Sequence, residues 1–186
     1  MKFYNAVQKV ALSESILVKA KQFANEVVAT TNYSDANQTQ VDKIINDHFV
    51  SKLGEEAVKM VMSRYTEVKG PDYEIYGAKQ KSWDSDLFIN GFGLAVKTQT
   101  TSAAIRYGLS WTFQNGIKRK DIILQQPAAW VAFVEYDDTH EPYQTCFVLP
   151  PFQIKELSFD EPKLAHLKGH KKVVYAYSLG KMPVEE

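Results

Sequence analysis

The segment SWDSDLFINGFGLAVKTQ, residues 82–99, contains the clearest folding signal in the chain. Its Asn90-Gly91 pair lies between two apolar runs, and the central positions of a two-residue hairpin turn favour residues that accept positive φ. The sequence therefore predicts a β-hairpin in which Ile89 pairs with Phe92 and the flanking residues pair in the same register.

This register divides the side chains of the hairpin between two faces, because neighbours along a strand alternate and directly opposed residues share a face. One face is expected to be apolar, with Leu87, Leu94 and Val96. The other face combines acids, a cation and an amide around one small residue, with Asp84 opposite Lys97, Asp86 opposite Ala95, and Gln99 beyond them.

The length and composition of the chain indicate a single folded domain. It has 186 residues, of which 45% are hydrophobic and 12% aromatic, and it contains no evident repeat. We expect one domain over residues 1–186, with a helical N-terminal segment over residues 1–35 and an α/β core over residues 36–186.

Charge and cysteine usage bound the environment of the protein. Lysine plus arginine equal aspartate plus glutamate at 22 each, so there is no global polybasic signature of nucleic-acid binding. A lone Cys146 excludes an internal disulfide framework and fits a reducing compartment. The sequence has neither a signal-peptide pattern nor a run of membrane-spanning length, which predicts a cytoplasmic protein without a membrane partner.

Hydrophobic periodicity predicts an α/β order of elements, with helices flanking a mixed sheet of about five strands. The predicted helices cover residues 4–29, 37–65 and 102–115. Besides the hairpin, the predicted strands lie at residues 73–76, 130–138, 143–151 and 173–179, the last of them at an edge.

The second predicted helix carries an acidic residue inside its apolar stripe. With a turn of about 100° per residue, Glu55 falls close to Met62, whereas Glu56 points to the far side. Ser51 and Asp47 lie on the same stripe, about one and two turns before Glu55. A carboxylate that points inward needs a cation, a metal ion or hydrogen-bond donors. The alternative is a helix end where the stripe has already reached solvent.

The motifs LGEEAVKMVMSRY, DLFI and LAVKTQ, in this order, resemble the PD-(D/E)xK nuclease superfamily. The arrangement is most similar to bacterial type II restriction endonucleases, and the resemblance covers about residues 47–99. It implies a restriction-endonuclease-like core and Mg²⁺-dependent hydrolysis of phosphodiester bonds in double-stranded DNA. Symmetrical cutting of a duplex further implies a homodimer, because two-fold symmetry in the protein matches that of a palindromic site.

The resemblance also implies roles for individual residues. Asp86 matches the metal-binding aspartate, Lys97 the catalytic lysine, and Glu55 the helix glutamate that many members add to the site. Asp84 is a further candidate metal ligand, and Gln99 is a candidate for positioning water or contacting a phosphate. Without the resemblance, the same acids and lysine fit a cross-strand ion pair on a solvated sheet face.

Ala95 departs from the family pattern, because it stands where the family usually has a carboxylate two residues before the lysine. Three explanations remain, in order of preference: a relocated carboxylate supplied by Asp84, Glu55 or Asp47; a natural loss of activity; or an inactivating substitution. Asp72, in a literal Pro-Asp pair, is kept as a backup ligand.

Four cations that follow the hairpin are candidates for DNA contact: Arg106, Lys118, Arg119 and Lys120. The basic stretch KGHKK, residues 168–172, is interpreted as a solvated turn. Two other functions stay open. One is a repair or junction-resolving nuclease, and the other is a nuclease-like module that binds DNA or a protein without cutting, which Ala95 and the neutral net charge favour.

Overall fold

The computed structural model describes residues 2–29, 40–76, 85–117, 119–180 and 182–185. Within these ranges the chain is mixed α/β, as predicted. Its α-helices are α1 Glu14–Val28, α2 Val41–Met62 and α3 Thr101–Tyr107. Its strands are β1 Val7–Ala11, β2 Val68–Lys69, β3 Leu87–Ile89, β4 Phe92–Thr100, β5 Ser110–Gln114, β6 Trp130–Tyr136, β7 Thr145–Val148, β8 Phe152–Gln153, β9 Lys171–Tyr175 and β10 Val184–Glu185.

The main sheet is mixed, and its strand order is β10-β1-β7-β6-β4-β3-β2, with β8 pairing to β6. Its central pair, β4 and β6, is parallel, whereas β6 with β7 and β3 with β4 are antiparallel. Strands β5 and β9 form a separate antiparallel ribbon. The prediction of about five strands was too low, because short strands join both edges.

The Asn-Gly hairpin forms in the predicted register. Asn90 has φ 48° and Gly91 has φ 81°, and the β3–β4 ladder pairs Ile89 with Phe92. The ladder ends at the pair Leu87 and Leu94, so the predicted pairs further from the turn are not part of it.

Two apolar cores lie on opposite faces of β4. Leu94 and Val96 belong to the core that contains the buried face of α2, whereas Ala95 packs against a second core that includes Trp111 of β5 and Val174 of β9. The alternation predicted for β4 is therefore correct. Its polar face, however, is covered in part by the β5–β9 ribbon and is not an open sheet surface.

The predicted helix over residues 4–29 is wrong in its first part. Strand β1 lies between β7 and β10, and α1 begins only at Glu14. Gln8 is 4% exposed and Val10 is 5% exposed, so the strand buries alternate residues. The glutamine hides this alternation in the sequence, and pairing with distant strands decides the conformation.

Other element boundaries also differ from the predictions. The strand predicted at residues 73–76 does not form, and β2 precedes it. The helix predicted over residues 102–115 ends at Tyr107, because Gly108 has φ 87°, and β5 follows. The predictions of β6 and β7 are confirmed. The strand predicted over residues 173–179 is confirmed only in its first part: β9 ends at Tyr175, pairs with β5 in the separate ribbon, and is followed by a 3₁₀ helix, Ala176–Leu179. Among the described residues, no helix has the length and apolar character needed to cross a membrane.

Candidate active site

Asp86 lies where β3 and β4 separate. Its Oδ2 accepts a hydrogen bond from the backbone N–H of Val96 over 2.7 Å, so the carboxylate replaces a strand as the partner of β4. This fixes the side chain beside β4, just before the start of β3. The predicted pairing of Asp86 with Ala95 is replaced by this contact.

The pKa of Asp86 reflects charges from both faces of the sheet. Burial raises this pKa, whereas the Val96 N–H and the charges of Lys97 and Lys52 lower it, and the charge of Asp121 raises it. Lys97 extends from β4 and Lys52 from α2, so Asp86 lies between cations that reach it from different elements. The sequence-predicted aspartate and lysine are therefore neighbours.

Lys97 makes an ion pair that the sequence did not predict. Its Nζ lies 2.8 Å from Oδ2 of Asp121, and the two side chains are 27% and 21% exposed. The same oxygen accepts the backbone N–H of Gln114, and the Lys97 ammonium lies 5.0 Å from the centre of the Phe113 ring. The β5–β9 ribbon thus orients the lysine, and the expected cross-strand partner of Lys97, Asp84, lies outside the described residues.

Glu55 is buried on α2, as the helical periodicity predicted, and is 3% exposed. It accepts hydrogen bonds from Lys52 Nζ over 2.6 Å and from Ser51 Oγ over 3.2 Å. Burial raises its pKa to about 7, Lys52 opposes that shift, and the charge of Asp86 adds to it. The charge of Asp86 therefore disfavours the ionised form of Glu55, and a proton on either acid relieves this repulsion.

Gly54 lets α2 approach β4 closely enough to bring Glu55 to this position. A Cβ at Gly54 would clash with Thr98 Oγ1 and would lie 3.0 Å from Thr98 Cβ. The Gly-Glu pair in the helix motif therefore has a packing reason: the glycine admits the strand and the glutamate faces the site.

Other predicted site residues have different contacts from those expected. Gln99 accepts the backbone N–H of Ser110 through Oε1 over 2.7 Å, so it ties β4 to β5. Glu56 does not point to solvent, because it is buried and accepts a hydrogen bond from Tyr73. Asp72 accepts the backbone N–H of Glu74 and the hydroxyl of Tyr76, which makes it part of a local turn.

The four predicted DNA-binding cations differ in position. Arg106 is exposed in the last turn of α3, and Arg119 and Lys120 are exposed in the loop after β5. Lys120 forms an isolated bridge to Asn115. Lys118 lies outside the described residues.

Asp121 and Lys52 are the charged neighbours that the sequence analysis missed. Asp121 follows Lys97 by 24 residues, and no local pattern relates the two. Lys52 had a usable signal, since it precedes Glu55 by three residues on one helix, the spacing at which side chains meet.

The donor set is compatible with a hard cation. Mg²⁺ binds through one or two carboxylates together with waters and substrate phosphate. Asp86 and Asp121 influence each other electrostatically and each offers carboxylate oxygens. Within the described ranges, no three or more His, Cys, Asp or Glu side chains are grouped to hold a metal ion by themselves. At such a site, waters and a substrate phosphate would have to supply the other ligands.

Comparison of the chain with protein-family models, curated proteins and solved structures finds no match.

Proposed function

We propose that this protein is a Mg²⁺-dependent endonuclease that hydrolyses phosphodiester bonds in double-stranded DNA, most simply a type II restriction enzyme acting as a homodimer. Three charged residues carry the proposal: Glu55 of α2, Asp86 just before β3, and Lys97 of β4. Asp86 accepts the backbone N–H of the residue before Lys97, and its charge interacts with those of Lys97 and Glu55. The resemblance of the sequence motifs to PD-(D/E)xK nucleases supplies the reaction class.

Each residue has a role that its contacts support. Asp86, with Asp121 or Glu55, would hold the cation. Lys97 would orient the attacking water or stabilise negative charge that develops on the phosphate. The carboxylate of Asp121 lies 2.8 Å from the Lys97 ammonium and orients it.

A bound Mg²⁺ would act as a Lewis acid on the phosphate oxygen and lower the pKa of a coordinated water. Residues of this chain would exclude water from part of the site and neutralise its negative charge. Phe113, which belongs to the second core, covers one side of the Lys97 ammonium and limits the access of water there. Lys52 offsets the negative charge of Glu55 and Asp86 before substrate arrives.

A second candidate function is a DNA-binding module that does not cut. Two observations favour it: Ala95 replaces the usual carboxylate, and Asp121 already engages the ammonium of Lys97. A repair or junction-resolving nuclease would use the same residues on a different DNA structure.

Cleavage of supercoiled plasmid DNA in Mg²⁺ or in EDTA tests the proposal. We expect metal-dependent discrete fragments from the wild-type protein and a loss of about 10²- to 10⁴-fold in rate for Lys97→Ala. Lys9→Ala removes an exposed lysine of β1 and serves as the matched control. Light scattering of the DNA-free protein tests the homodimer.

The products separate the alternatives. Nonspecific nicking would indicate a repair-like nuclease, and a mobility shift without cleavage would indicate a binding module. Cleavage that persists at the wild-type rate in Lys97→Ala would overturn the assignment of this site.

A further inference from the structure

A group of cations adjoins the site on the side of the β5–β9 ribbon. Lys43 comes from α2, Lys97 from β4, Arg119 from the loop after β5, and Lys171 from the start of β9. Burial lowers the pKa of Lys171, and the charges of Lys43, Lys97 and Arg119 lower it further, whereas Asp47 opposes them. The backbone also brings the loop after β5 against the start of β9, because a Cβ built at Gly116 would lie 3.6 Å from the carbonyl oxygen of Arg119 and 3.5 Å from Nδ1 of His170, the residue before Lys171.

The backbone explains why Lys171 belongs to this group. It pairs with Gln114 across the β5–β9 ladder, and the N–H of Gln114 donates to the same Asp121 oxygen that binds Lys97. The ladder thus connects Lys171 to Lys97 through two residues. Lys171 is partly buried, so part of its side chain is removed from solvent.

The charges in this group are poorly balanced. Lys97 has Asp121, but within the described ranges Lys43, Arg119 and Lys171 make no ion pair at contact distance. Asp47 is the acid whose charge acts on Lys171, and Asp47 is itself exposed. Cations held together without matching acids repel one another, and an anion that binds among them relieves the repulsion.

We propose that Lys171, together with Lys43 and Arg119, binds a backbone phosphate of the nucleic acid next to the phosphate that Lys97 faces. The inference rests on the proposed function, because it takes DNA as the substrate, and it adds a substrate-binding surface formed by α2, the loop after β5 and β9. It also separates Lys171 from the rest of the KGHKK stretch, where Lys168 is exposed and Lys172 lies 5.9 Å from the Phe159 ring.

The salt dependence of DNA binding tests this contact. Affinity for a fluorescent duplex is measured in EDTA, so that no cleavage occurs, over a range of salt concentrations. Each phosphate contact contributes about 0.9 to the slope of log K against log salt. We expect Lys171→Gln to reduce the magnitude of this negative slope by about 1. The variant should also weaken binding by the same factor for DNA duplexes of unrelated sequence.

Matched variants distinguish a phosphate contact from a structural role. Lys168→Gln removes the same charge from an exposed position in the same stretch, and its slope should equal that of the wild type. Lys43→Gln and Arg119→Gln change exposed side chains, and each should lower the slope even if Lys171→Gln fails to fold. Asp47→Asn should strengthen binding, because it removes the acid among these cations.

The outcomes are distinct. A wild-type protein that does not bind DNA would overturn both this inference and the proposed function. A wild-type protein that binds and cuts DNA, with unchanged slopes in the Lys171, Lys43 and Arg119 variants, would overturn this inference alone. Inorganic phosphate at constant ionic strength is the second probe. If Lys171→Gln loses phosphate binding but keeps the wild-type DNA slope, the cation group binds free phosphate, and its assignment as a DNA contact is wrong.

Discussion

Lys97 of β4 and Asp121 of the loop after β5 form an ion pair of 2.8 Å in a partly buried position. The pair links the main sheet to the β5–β9 ribbon, since Asp121 also accepts the N–H of Gln114. Asp121 also acts electrostatically on Asp86. It therefore places beside the lysine a carboxylate that the sequence did not suggest, and whether this acid serves the site is a prediction.

Asp121→Asn tests the relocated carboxylate. We expect cleavage to fall by about 10²-fold, because Lys97 loses the charge that orients it. Plasmid cleavage rates measure the loss, and denaturant unfolding shows whether the fold is retained. Glu161→Gln, at an exposed position, is the control. An unchanged cleavage rate in a folded Asp121→Asn protein would remove Asp121 from the site.

Ala95→Glu introduces the carboxylate that PD-(D/E)xK nucleases usually have at this position, and it should not increase cleavage. Ala95 packs against the second core beside Val131, so a carboxylate there is desolvated, and we expect the free energy of unfolding to fall by about 1–3 kcal/mol. Ala95→Ser, a smaller polar change, controls for the position. If Ala95→Glu instead cuts DNA at least tenfold faster than wild type, Ala95 is an inactivating substitution.

Glu55→Gln should change the pH dependence of stability in metal-free buffer. The folded pKa of Glu55 is about 7, against an ordinary value of 4.5. Between these values the folded state keeps a proton that the unfolded state releases, so stability falls as pH rises, by at most about 1.4 kcal/mol per pH unit.

Urea unfolding at pH 5, 6, 7 and 8 measures this dependence. Glu55→Gln should remove the decline between pH 5 and 7, whereas Glu161→Gln should follow the wild-type curve. Parallel curves for wild type and Glu55→Gln would show that Glu55 titrates normally.

Gly54→Ala should lower both stability and cleavage. The added Cβ clashes with Thr98 Oγ1 and lies 3.1 Å from Thr98 Cγ2, so α2 must move away from β4 and carry Glu55 with it. We expect a loss of about 1–3 kcal/mol in the free energy of unfolding despite the better helix propensity of alanine.

Gly116→Ala is the matched control, because its Cβ would meet ordinary contacts no closer than 3.5 Å. Thermal unfolding and plasmid cleavage are compared for both variants. Equal stability of the two would show that α2 and β4 do not need the glycine.

Short-range patterns predicted the parts of the fold that local chemistry decides. The Asn90-Gly91 turn sets the hairpin register because few residues accept both of its backbone conformations, and helical periodicity located Glu55 in the buried face of α2. The same patterns failed at β1 and β5. In those segments, pairing with strands distant in the sequence overrides the local preference for a helix.

The sequence by itself determined the hairpin, the long acidic helix and the order in which Glu55, Asp86 and Lys97 occur, since each depends on the conformation of a few consecutive residues. Tertiary structure alone decided which charges surround them. Asp121 meets Lys97, and Lys171 pairs with Gln114 next to them, because β5 and β9 pair across more than fifty residues of chain. Such contacts depend on the packing of two cores against opposite faces of β4, which no local spacing encodes.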